Sequence, residues 1–109
     1  MPYDETLDAR IKTIVSPWEQ TENKKMFGGV CHLYAGHMFC GVHKDWLILR
    51  LGETAAEKAF QQPFVKPFDI TGRPMKGWVM VAAEGFATDA QLKQWLKQAK
   101  QFVTGLPPK

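Results

Sequence analysis

The hydrophobic positions change their spacing several times along the chain, and each change marks an element. In "DETLDARIKTIV", Leu7, Ile11, Ile14 and Val15 recur at helical intervals and make one apolar face. Asp4 supplies an N-cap and Ser16-Pro17 a stop, so a helix is predicted here. "WEQTENKK" is polar and reads as a connector leading to Gly28-Gly29. From Val30 to Leu51 the apolar stretches become short, broken at Ala35-Gly36 and Lys44-Asp45, which predicts three antiparallel strands in a meander.

"TAAEKAFQQ" carries Thr54 and Glu57 in capping-box spacing and puts Ala56, Ala59 and Phe60 on one side, predicting a short helix ended by Pro63. "PFVKPFDITGRPMKG" is rich in proline and glycine and reads as an ordered, irregular loop with a short strand at Phe68 to Ile70. "WVMVAA" is a strand. The last element opens with a second capping box, Thr88 with Gln91, and lines up Leu92, Trp95, Leu96, Ala99, Phe102 and Val103 before Gly105 and two prolines end it. Strands grouped together, helices at both termini and one in the middle predict an α+β two-layer sandwich. Its antiparallel sheet would have four to five strands, in one domain spanning residues 1–109.

Composition narrows the function. No apolar run approaches the ~20 residues that cross a bilayer, and the acidic start "MPYDETLDAR" is not a secretory leader, so a cytoplasmic protein with reduced cysteines and no membrane partner is expected. The net charge of +3 permits nucleic-acid binding without arguing for it, since the only basic doublet is Lys24-Lys25 and no nucleic-acid-binding motif is present.

All cysteines and histidines fall in "CHLYAGHMFCGVH". A two-residue turn at Ala35-Gly36 sets Tyr34 against His37, Leu33 against Met38, His32 against Phe39 and Cys31 against Cys40. In that register Cys31 and Cys40 are a cross-strand candidate thiol pair, or else two buried thiols packed as small hydrophobes. His32, His37 and His43 take the other face, which opposes a shared metal site, because the ligands of a structural metal must converge. A tight turn at Lys44-Asp45 then brings Trp46, Ile48 and Arg50 to the face of Tyr34 and Phe39. These five form a candidate interface for a homodimer partner or another protein. The competing reading is that this is the core face and the register is off by one, which would invert every assignment.

Elsewhere the chemistry is thin. Gly28-Gly29 leads into a strand and not a helix, so it reads as a bend or close contact and not a phosphate loop. Lys24, Lys25, Arg73 and Lys76 form a candidate basic cluster for an anion or nucleic acid. Ser16 sits at a helix end, and no nucleophile, base or metal set is assembled, so no catalytic residue and no enzyme activity are expected.

"KKMFGGV" with the following hairpin, "WLILRLG", "PFDITGRPMKGWVMV" and the final helix ending "LPPK" resemble the N-terminal domain of the TfoX/Sxy competence regulators, from about Lys24 onward. The matching motif positions are Met26, Phe27, Gly28, Gly29, Gly72, Arg73, Pro74, Met75, Gly77 and Trp78. The resemblance implies a small α+β sandwich related to secretion-chaperone-like folds. It also implies a non-enzymatic co-regulator of bacterial natural transformation, acting with the cyclic-AMP receptor protein, with no cofactor. Full regulators carry a second helical domain, and a chain ending at Lys109 is expected to be a stand-alone form.

Overall fold

A computed structural model describes residues 4–26, 29–68 and 76–106. Helix α1 (Glu5–Val15) is followed by strands β1 (Thr21–Met26), β2 (Gly29–Tyr34), β3 (His37–His43) and β4 (Trp46–Arg50). Helix α2 (Glu53–Ala59), strands β5 (Val65–Pro67) and β6 (Trp78–Val81), a 3-10 turn (Ala83–Phe86) and helix α3 (Asp89–Thr104) complete the order. The sheet has six strands, one or two more than expected, in the order β1-β2-β3-β4-β6-β5, and every neighbouring pair is antiparallel. The α+β class stands.

The terminal helices form as their spacing dictates. The Asp4 carboxylate accepts from the Leu7 amide at 3.1 Å, and Leu7, Ile11 and Val15 are buried. At α3 the capping box is complete: the Gln91 amide donates to Thr88 Oγ1 at 3.1 Å, and the Thr88 amide donates to Gln91 Oε1 at 3.0 Å. Its apolar stripe of Leu92, Trp95, Leu96, Ala99 and Val103 is buried, with Trp95 Nε1 donating to the Gly85 carbonyl at 2.9 Å.

Helix α2 departs from expectation. It starts at Glu53, with no side-chain cap from Thr54, because Gly52 turns the chain at φ 86°. A Cβ at Gly52 would also lie 2.6 Å from the Phe102 ring, so two constraints demand glycine there. Ala56 and Ala59 face the core, but Phe60, expected beside them, is 38% exposed.

Two strands differ from the sequence reading. The "connector" after α1 contains β1, whose Glu22, Asn23, Lys24 and Lys25 are exposed at the sheet edge. Strand β5 lies at Val65–Pro67, ahead of the expected Phe68 to Ile70, of which residues 69 and 70 fall outside the described residues. Pro67 suits an edge strand, since it has no amide to donate outward.

Register defines two faces. One row across the sheet reads Val30, Val42, Leu47, Val81 and Val65, and the next reads His32, Cys40, Leu49 and Val79. These side chains meet α1, α2 and α3 in a single core. The row between them, on the reverse side, reads Lys24, Cys31, Gly41, Ile48, Met80 and Lys66.

Candidate functional site

The histidine-cysteine hairpin opens as expected and then slips. Ala35 (φ 51°) and Gly36 (φ 87°) make the two-residue turn, and Tyr34 faces His37 and Leu33 faces Met38. A β-bulge between His32 and Leu33 then inserts one extra residue, so His32 faces Cys40, Cys31 faces Gly41 and Val30 faces Val42. The expected Cys31-Cys40 cross-strand pair is therefore not formed: the two thiols sit on opposite faces of the sheet. Burial raises the pKa of both, Cys40 far more strongly, which keeps them as thiols and not thiolate nucleophiles.

The bulge also redistributes the histidines, which do not share one face as expected. His32 lies on the helix side with Cys40, and His43, opposite Trp46, lies on the reverse side. His32 is 1% exposed, and its Nε2–H donates to the Asp8 carboxylate at 2.7 Å. Lys12 Nζ approaches the other oxygen of Asp8 at 3.3 Å. Burial lowers the His32 pKa, and the Asp8 hydrogen bond and charge oppose that shift. Asp8 escaped the sequence reading, although its signal was present: it occupies the same helical stripe as Ile11 and Val15, where a carboxylate needs a buried partner.

The candidate interface divides in two. The turn at Lys44, which takes φ 56°, gives the expected register, and Trp46, Ile48 and Arg50 lie on the reverse face. Tyr34 and Phe39 do not join them. Phe39 is the extra residue of the bulge, fully buried in the core with its ring centroid 6.0 Å from that of Trp18. Tyr34 packs toward the helix layer, where the Lys100 ammonium sits 5.3 Å from its ring centroid.

The reverse face instead gathers half-buried Leu33, Met38, Trp46 and Met80 around buried Cys31 and Ile48. Lysines close both ends of its central row: Lys24 on β1, and Lys66 on β5, whose ammonium lies 5.9 Å from the Trp46 ring centroid. Arg50 spreads over Trp78 and Phe102, 5.6 Å from each centroid. The elements that join the apolar core through α1, α2 and α3 all do so from the other side of the sheet.

The candidate basic cluster does not assemble. Lys24 and Lys25 belong to β1, whereas Lys76 precedes β6, with three strands between them; Arg73 lies outside the described residues. Of the motif positions, Phe27, Gly28, Gly72, Arg73, Pro74 and Met75 also lie outside them. The rest hold the backbone together. Gly29 faces Met26 across the first hairpin and runs so close to the Val42 carbonyl that a Cβ would collide with it. Gly77, at φ 84°, offers a carbonyl that accepts from the amides of Leu51 (2.8 Å) and Gly52 (3.1 Å). Trp78 pairs with Arg50 and leans on Phe68 at 5.9 Å between centroids. Among the described residues no group of three His, Cys, Asp or Glu converges as a metal site, and no helix is long and apolar enough to cross a membrane.

Such an arrangement, a six-stranded antiparallel sheet with helices on one face and glycine-bearing motifs that fasten its strands, defines a small α+β domain. The model of the TfoX N-terminal domain matches residues 13–103, and the chain belongs to that family. Neither a curated protein nor a solved structure matches the chain.

Proposed function

We propose that the protein is a non-enzymatic interaction domain, a co-regulator of transcription in the manner linked to its family, and that it works as a homodimer joined through the reverse face of the sheet. The observation that carries this reading is the asymmetry of cover. Among the described residues three helices seal one face, while the other displays Leu33, Met38, Trp46 and Met80 at half-burial, flanked by Lys24 and Lys66. Aromatic, methionine and arginine side chains are the residues that protein interfaces concentrate, and a second copy would present the same self-complementary patch. The raised thiol pKa values of Cys31 and Cys40 support a non-catalytic role.

Light scattering on the purified chain tests the reading. A dimer mass that persists at high salt and falls to a monomer mass in Trp46→Ala supports it, because the truncation removes the largest apolar side chain of the patch. A monomer at all concentrations overturns the dimer.

A further inference from the structure

The positive charge of the chain is not spread evenly. Residues 90–109 contain four lysines and no acidic residue, whereas residues 1–89 contain ten basic and eleven acidic ones. The whole excess therefore sits on the last helix and its tail. Three of these lysines, Lys93, Lys97 and Lys100, recur at intervals of four and three, which places them in one row along about 10 Å of α3.

The partners of this row make it unusual. Like-charged lysines one turn apart are relieved by acids at that spacing, but between Ala90 and Thr104 the exposed polar neighbours here are Gln91, Gln94, Gln98, Gln101 and Thr104. Lys93 and Lys97 are like charges one turn apart, an arrangement that costs helix stability. Among the described residues no carboxylate lies within ion-pairing distance of any of the three, and Asp89, the one acid of the helix, is taken by Arg10 at 3.1 Å. At the far end the Lys100 ammonium is held between two rings, 4.7 Å from the centroid of Trp18 and 5.3 Å from that of Tyr34. Its charge is thus fixed in place before any partner arrives. Beside it lies a groove of about 370 Å³ lined by Trp18, Lys97, Lys100, Gln101 and Thr104.

We infer that this row is a binding site for the phosphodiester backbone of a nucleic acid, with Lys93, Lys97 and Lys100 each meeting a phosphate and the glutamines donating to the sugar-phosphate edge. A polyanion fits because it answers a linear array of cations that no described carboxylate neutralises with a linear array of charges, which a single small anion cannot do. The site lies on the helix layer, on the opposite side of the sheet from the proposed dimer face, so both can be occupied together.

Fluorescence anisotropy of a labelled 12-nucleotide single strand, and of the same sequence as a duplex, tests this across a salt series. With three phosphates neutralised, log K against log salt should fall with a slope of about −2 for the single strand. Lys93→Gln with Lys97→Gln should weaken binding roughly tenfold or more at low salt and bring the slope to about −0.7. Lys93→Arg with Lys97→Arg should retain it, which separates loss of charge from loss of fold. Lys24→Gln with Lys25→Gln, on the distant edge strand, should change little. Absence of salt-dependent binding to either probe overturns the inference, as does an equal loss in the Lys24/Lys25 variant. Neither result bears on the dimer mass, which is read separately by scattering.

Discussion

The two faces of the sheet are built from the same strands, yet they differ in what completes them. On the helix side, the rows through Val42 and Cys40 meet α1, α2 and α3, and Phe39, Cys40, Leu47, Leu49, Val79 and Val81 have no exposed surface. On the reverse side, Ile48 is buried while Trp46 and Met80 stay partly open. The contrast teaches that the close-packed part of the domain lies on the first face, while the second keeps apolar side chains partly open.

The comparison breaks most visibly at matched truncations. Phe39→Ala should cost about 3–5 kcal/mol in urea unfolding, since a fully buried ring leaves a cavity in the core. Met80→Ala on the reverse face should cost about 1 kcal/mol in the monomer. A larger Met80 effect that grows with protein concentration would place this face in an interface as well.

A smaller effect should appear with pH. The folded His32 has a pKa below its ordinary 6.5, so between the two values the unfolded chain binds a proton that the folded chain does not. The stabilisation is complete above about 6.5 and is lost as pH falls through the folded value. The urea midpoint should therefore be lower at about pH 5.5 than at about pH 7.5, and His32→Gln should flatten that difference. An unchanged midpoint in the wild type would show that His32 is not held neutral by its surroundings.

The smallest difference is kinetic and separates the thiols. Both should alkylate slowly in the native state, with Cys31, at 6% exposure, reacting before Cys40, at 0%. Intact-mass measurement should find two free thiols and no internal disulfide after mild oxidation, because the side chains occupy opposite faces. A rapid loss of two mass units would mean that the hairpin slips its register in solution.

Much of this architecture was legible in the residues, and the misses share a physical origin. Helices α1 and α3 announced themselves through long apolar stripes and side-chain caps, and the strands near both turns followed from turn chemistry. The bulge did not, because one inserted residue leaves no mark in composition yet exchanges the faces of everything beyond it. Hence Tyr34 and His37, and Leu33 and Met38, were placed correctly opposite one another, while Cys31, His32 and Phe39 were not placed with their true neighbours. Strand β1 was hidden for another reason: an edge strand wet on both sides needs no alternation, and its lysines serve to discourage further pairing. Of the five residues expected to share one face, Trp46, Ile48 and Arg50 do so because the second turn held its register.

Arg10 bonds to Asp89, 79 positions later, and α3 covers strands that precede it by half the chain. Completion of the core therefore waits for α3 to be synthesised. When β4 leaves the ribosome, the apolar side of the meander has only α1 for company; another 54 residues must be made before Thr104 closes α3. At ~5–20 residues per second this interval lasts roughly 3–11 s. For that time the nascent chain is a sheet with an open oily side and a lysine-guarded edge, and its fate in the cell depends on how well that edge keeps strangers away until the last helix arrives.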